Sequence, residues 1–175
     1  AISTAMTARK GLLIRNRTAF ENARRITAMV FDKTGTLTEG KFGVSRIQPL
    51  AAGYDNDTLL ATAAALEQES QHPIAQGIVA AAKGAELTIP PVSNFASITG
   101  KGITGEVGGK KIAVVSPGYL KEKNIDMPPE ASGSAAETVV FILENEKLLG
   151  FLALSDQIRP DAAERLNLVV TLMND

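Results

Sequence analysis

No cysteine occurs in this sequence, and a single histidine, His72, stands among its 175 residues. The first absence excludes a disulfide framework and any thiolate metal centre. The second excludes a multi-histidine site and leaves an all-oxygen site of the Mg²⁺ type open. Formal net charge is −1, so no general attraction to nucleic acid or anionic lipid is expected. No apolar run approaches the ~20 residues of a membrane span, and the N-terminus lacks the apolar core of a signal peptide. The chain as given is therefore expected to be soluble, with no segment that inserts directly into a membrane. At this length it can hold one domain or two small ones.

What is present centres on Ile26 to Thr38, reading Ile-Thr-Ala-Met-Val-Phe-Asp-Lys-Thr-Gly-Thr-Leu-Thr. An apolar run of strand character ends abruptly at Asp32. A carboxylate at the C-terminal tip of a buried parallel strand sits where open α/β sheets bind ligands. There it can act as a covalent nucleophile. The Thr34-Gly35-Thr36 turn supplies N–H groups and hydroxyls able to cradle phosphate oxygens. A strand-end Asp that merely caps a turn is common, but seven specified letters have a chance probability of about 1 in 10⁹ per start position.

Around this stretch the chain alternates between helical and extended character. Thr18 to Glu21 has a capping-box pattern that opens a short helix to about Arg25. Glu39-Gly40-Lys41 breaks the pattern after the motif, and Phe42, Val44 and Ile47 begin a new extended segment. Helices are expected from Asp57 to Ser70, capped by Asp55 or Asp57, and from Pro73 to about Gly84. Strands follow at Val92–Ile98, Ile103–Val107 and Lys110–Val115. A short helix follows from Ser116-Pro117 to about Lys123, and Pro128–Ala136 reads as a loop. A hairpin then joins Thr138–Leu143 to Lys147–Leu154. Asp156 to Pro160 opens another helix, and Asn167–Met173 reads as a last strand. Two helices followed by antiparallel strands suggest an α+β insert between two pieces of an α/β domain.

Two further patterns carry chemistry. Glu67-Gln-Glu-Ser70-Gln-His72-Pro73 places an imidazole just before a helix, where a bare histidine is more often a cap or surface residue. Neutral imidazole nevertheless offers a flat face and two nitrogens, both suited to a purine. Gly100-Lys-Gly102-Ile-Thr-Gly105 fits a dinucleotide fingerprint poorly, because strands rather than a helix follow it. Glycines at tight β-turns are the plain alternative. Asp156, before a predicted helix, reads equally well as an N-cap.

Taken in order, Asp32–Thr38, Glu67-x-x-Ser70-x-His72-Pro73, Gly100-x-Gly102-x-x-Gly105 and Gly150–Pro160 resemble the cytosolic catalytic region of heavy-metal-transporting P-type ATPases. Gly11 to Arg24 looks most like the copper transporters of the CopB group. The resemblance implies a discontinuous haloacid-dehalogenase-like, Rossmannoid α/β phosphorylation domain, incomplete, in residues 1–41 and 151–175. Residues 42–150 are then an inserted α+β nucleotide-binding domain, an antiparallel sheet flanked by helices. By the same resemblance Asp32 is the phosphorylated nucleophile, with Lys33, Thr34 and Thr36 in its catalytic segment. Mg²⁺ is held by Asp32 and the Thr34 carbonyl, with its third ligand missing from this chain. ATP is bound by Glu67, Ser70, His72, Gly100, Gly102 and Gly105, with His72 on the adenine and Glu67 on its hydrogen-bonding edge. Asp156 lies at the return hinge.

The implied parent is an integral membrane protein whose catalytic region lies at the cytoplasmic face of the cell membrane. It couples ATP hydrolysis, through an aspartyl-phosphate, to export of a heavy-metal ion, copper, that this segment does not itself bind. Its partners are ATP and the membrane and actuator domains of the same parent. Position 34 separates this reading from a soluble haloacid-dehalogenase-type phosphatase, which usually carries a proton-shuttling Asp there. Thr34 cannot shuttle that proton, so a durable phosphoenzyme is expected. A non-catalytic ATP-binding module is the remaining alternative. The family continues with Thr-Gly-Asp and Gly-Asp-Gly-x-Asn-Asp, whereas this sequence closes with Met173-Asn174-Asp175. Ser116-Pro117-Gly118-Tyr119 also departs from the family's usual Gly-Asn pair. The expectation is a chain that binds ATP and phosphorylates Asp32 poorly.

Overall fold

The computed structural model describes residues 14–22, 25–132, 137–164 and 166–167. The backbone groups into two compact units, Thr38–Ile158 on one hand and Ala1–Leu37 with Arg159–Asp175 on the other.

In the second of these, helix α1 spans Arg17–Asn22. Its cap is Asn16, whose side-chain oxygen accepts the Ala19 N–H at 3.0 Å, so the Thr18 capping box is not used. The expected strand ahead of Asp32 does not form: residues 26–32 have no regular structure, and Ile26, Met29 and Val30 are exposed, Val30 at 96%. A parallel strand depends on flanking strands for its ladder bonds and its burial, and no described strand pairs with this stretch. The strand expected over 167–173 lies outside the described residues beyond Asn167. Lys33–Leu37 is a kinked turn rather than a helix, with Thr34 extended (φ −74°, ψ 121°) and Gly35 at φ 77°. The Arg159 N–H donates to the Leu37 carbonyl at 2.9 Å. Its guanidinium donates to the Gly35 carbonyl at 3.3 Å.

The larger unit is a six-stranded antiparallel sheet with helices on both faces. Its strands are β1 (Thr38–Pro49), β2 (Val92–Ile98), β3 (Gly102–Val107), β4 (Lys110–Val115), β5 (Glu137–Glu144) and β6 (Lys147–Ile158), in spatial order β1-β6-β5-β4-β3-β2. β1 runs through Glu39-Gly40-Lys41 instead of breaking there, absorbing the glycine as a bulge between Thr38 and Phe42. β6 extends to Ile158 because β1 pairs with it as far as Thr38. The segment around Asp156 is therefore strand, not the start of a helix, and helical backbone begins only at 162.

Helices α2 (Asn56–Glu67) and α3 (Pro73–Gly84) cover one face. Asp55 caps α2 by accepting the Thr58 N–H at 2.8 Å, and those bonds hold its carboxyl below the usual range. α2 stops at Glu67, three-residue turn bonds taking over through Ser70. The chain must be extended at His72, which precedes a proline (φ −66°, ψ 142°). Leu59, Ala63 and Leu66 of α2 and Ile78 and Ala82 of α3 pack on Ile103, Val114, Val140, Ile142 and Leu152. The short helix α4 (Pro117–Glu122) covers the opposite face, where Leu120 meets Val115, Phe141, Leu143 and Phe151. Burial on both faces explains the unbroken apolar run through β5, which a one-sided sheet would replace by alternation.

Candidate functional site

The residues expected to act on phosphate and those expected to hold a nucleotide fall in different units. Asp32, Lys33, Thr34 and Thr36 are all exposed and lie at or within the Lys33–Leu37 turn. Gly35 supplies the left-handed backbone that turns the chain, which L side chains adopt at a cost of roughly 1–2 kcal/mol. The Asp32 carboxylate and the Thr34 carbonyl offer Mg²⁺ two oxygens, whereas the ion takes near-octahedral coordination with several waters. Among the described residues no group of three or more acidic or histidine side chains could complete such a site. Thr38, the last letter of the motif, is fully buried at the start of β1.

The nucleotide set converges. Glu67, Ser70, His72, Gly100 and Gly102 all line one cavity of about 470 Å³, within the size range of ligand pockets. Its floor is apolar, from Ile103 on β3, Val114 on β4 and Val140 on β5; Ile74 and Ala75 wall it from α3. Pro73 at the first position of α3 presets the helix start, and His72 caps it, its Nδ1 accepting the Ile74 N–H at 3.2 Å. Nδ1 is thereby an acceptor, which leaves the proton of the neutral ring on Nε2. The His72 N–H donates to the Ser70 hydroxyl at 3.3 Å, so the Glu67–Pro73 segment is locked by its own polar groups. The helix-cap reading of His72 and its place in the cavity hold together.

Glu67 ends α2 with only 7% of its surface exposed. Burial pushes its carboxyl up to about 7, since desolvation penalises the charged form. No described side chain hydrogen-bonds it. The glycines divide. Gly100 sits at φ 67° with open space where a Cβ would be. Gly102 has no such space: a Cβ would lie 2.1 Å from the Val114 carbonyl oxygen, because β3 crosses β4 closely there. Gly105 does not line the cavity; its Cβ would meet Val92 Cγ2 at 2.7 Å across the β2–β3 pair. At least two of the three glycines thus answer to sheet packing.

Sequence reasoning missed Lys101, Thr138, Val139 and Val140, which also line the cavity. It gave Ser116-Pro117 no place there, yet both residues line it. Lys101 had a signal in the sequence, standing inside the Gly-x-Gly pattern.

Residues 26–169 match the haloacid dehalogenase-like hydrolase family. The chain is 46% identical over 169 residues to a copper-exporting P-type ATPase B of Archaeoglobus fulgidus, covering 95% of this chain and 24% of that relative. It superposes with a TM-score of 0.80 at 39% identity on the crystal structure of a zinc-transporting PIB-type ATPase, covering 97% of this chain and 28% of that one. A catalytic domain of the CPx-ATPase CopB-B, studied for its conformational changes upon nucleotide binding, aligns with a TM-score of 0.65 at 27% identity. That alignment covers 95% of this chain and 57% of the other. The chain thus spans about a quarter of the length of the whole transporters it matches.

Proposed function

From a chain that belongs to the haloacid dehalogenase-like hydrolase family, we propose the catalytic region of a heavy-metal-exporting P-type ATPase, which binds ATP in the Glu67–His72 cavity and carries the acceptor aspartate Asp32. The observation that carries the reading is the convergence of Glu67, Ser70 and His72 from one segment and Gly100 and Gly102 from another on one cavity. Its apolar floor suits a purine face, and the His72 ring, pinned through Nδ1, offers a second stacking surface and a donating Nε2. Near neutral pH the Glu67 carboxyl samples both protonation states. It can donate to a ring nitrogen of adenine as the acid or accept from the 6-amino group as the carboxylate.

In the whole protein an Asp32 oxygen attacks the γ-phosphorus in line. The bond from that phosphorus to the bridging oxygen of ADP breaks as the aspartyl-phosphate forms, and water later cleaves the acyl phosphate. Mg²⁺, when bound, would neutralise the phosphate charge, with the Asp32 carboxylate and the Thr34 carbonyl as its donors from this chain. Thr34, in place of a carboxylate, cannot act as the general base that activates that water, which suits a long-lived intermediate. The exported ion is copper on the relative of highest identity named above, and the membrane and actuator domains of the parent complete the cycle at its cytoplasmic face.

The test is equilibrium titration of ATP against wild type and His72→Ala. Loss of affinity of about tenfold is expected from removing an aromatic stacking partner. Equal affinity would remove the assignment.

A further inference from the structure

We propose that Lys101 is the residue that reads the phosphate charge of the bound nucleotide, and that Glu122 holds its ammonium until a nucleotide takes it over. The proposal rests on the nucleotide-site reading above and adds a specificity determinant that the motifs do not name. Among the described residues lining the cavity, Lys101 is the only side chain with a full positive charge at neutral pH. The other ionisable ones are Glu67 and His72. Burial of Glu67 keeps its negative charge partly suppressed near neutrality, which lowers the repulsion a polyphosphate meets.

The backbone at Lys101 is fixed while its side chain has a choice. Its N–H donates to the Ile98 carbonyl at 2.9 Å, and its own carbonyl accepts the Ser116 N–H at 2.8 Å. The β2–β3 turn is thereby tied to the start of α4. From this turn Lys101 borders two cavities on opposite faces of the sheet. One contains His72; the other, of about 600 Å³, contains Tyr119 and Lys111. In the second its ammonium pairs with the Glu122 carboxylate. Both partners are more than a third exposed, and exposed ion pairs contribute little net stability. A polyphosphate offers several negative charges and charge-assisted hydrogen bonds, which are the stronger kind. Transfer of the ammonium from Glu122 to phosphate is therefore favourable, and the long flexible stem of lysine permits it.

The preference of such a site for ATP over adenosine comes from one side chain. Adenosine, AMP and ATP are titrated against wild type, Lys101→Met, Lys101→Arg, Glu122→Gln and His72→Ala of the 175-residue chain, read by NMR shift perturbation. Lys101→Met is expected to weaken ATP about tenfold, the scale of a hydrogen bond to a charged group, with adenosine unchanged within about twofold. Lys101→Arg recovers most of the loss, and Glu122→Gln tightens ATP about twofold by removing the competitor. An unchanged ATP affinity in Lys101→Met, or an equal loss for adenosine and ATP, overturns the proposal and leaves the nucleotide site standing. Absence of wild-type ATP binding, or full binding by His72→Ala, overturns the nucleotide-site reading, and the Lys101 role falls with it. Retained adenosine binding by Lys101→Met reports that the cavity is folded.

Discussion

The Thr38 hydroxyl donates to Asp156 Oδ2 at 2.5 Å, clasping the first residue of β1 to β6 near its end. Thr38 is fully buried, and the second carboxylate oxygen, Oδ1, is buried with no hydrogen-bond partner. Both residues come from segments that read as catalytic or hinge chemistry in the sequence. Their contact instead closes the ladder where the larger unit begins and ends. Thr38→Val leaves the whole carboxylate unpaired and is expected to cost about 1–3 kcal/mol. Asp156→Asn keeps an acceptor for the hydroxyl while removing the buried charge, so its loss is smaller. Urea unfolding followed by circular dichroism measures both; identical midpoints for wild type and Thr38→Val would refute the clasp.

Glu67 makes stability fall as pH rises. Its carboxyl is raised from 4.5 to about 7 in the folded chain, so the native state holds its proton where the unfolded state has already lost it. Below about pH 4.5 both states are protonated and no cost arises. Between there and about 7 the folded state binds more protons, and stability drops as pH increases; above 7 the cost is complete, about 3 kcal/mol. Glu67→Gln keeps the shape and removes the titration. Its stability relative to wild type should rise between about pH 5 and about pH 8. A constant difference between the two proteins across that range would contradict the buried, uncompensated carboxyl.

The cavity-lining residues of the Glu67–Pro73 run were legible because that short run has its own local logic. A histidine before Pro73 must be extended, and an extended residue ahead of a helix caps it; the same backbone aims the ring into the cavity. The apolar run in β5 and the helix starts at Asp55 and Pro73 were readable for similar local reasons. What escaped was non-local. Ile26–Phe31 has strand composition, but composition does not say whether a partner strand lies alongside. Asp156 has the look of an N-cap, yet pairing with β1 carries β6 past it. Lys101 looks like an ordinary turn lysine until the turn is seen between two cavities. The glycines were read for ligand approach, whereas the collision that excludes a side chain at Gly102 comes from β4.

That last difference is measurable. Gly102→Ala forces a Cβ to within 2.1 Å of the Val114 carbonyl oxygen, against backbone that cannot step aside without breaking the β3–β4 pair. A loss of about 3 kcal/mol is expected, at the upper end of overpacking costs. Gly100→Ala meets open space and only the positive φ of its turn, for about 1 kcal/mol. Thermal unfolding of the two variants should rank them in that order. Equal destabilisation would mean that β3 shifts to admit a methyl group, and that the glycine at 102 is not set by packing.

His72 combines two roles that a single substitution can separate. As a cap it accepts the Ile74 N–H through Nδ1; as a cavity wall it presents an aromatic ring. Alanine removes both, and a helix that loses its cap is weakened by about 1 kcal/mol. A fall in ATP affinity for His72→Ala could then reflect a displaced α3 alone. Asparagine is among the best N-cap residues and places an amide oxygen near the Nδ1 position, so His72→Asn keeps the cap and deletes only the ring. The expectation is wild-type stability within about 0.5 kcal/mol together with an ATP affinity lowered about tenfold. If His72→Asn instead binds ATP like wild type while His72→Ala does not, the histidine serves the nucleotide only by holding α3 in place. The stacking surface must then be sought elsewhere on the cavity wall.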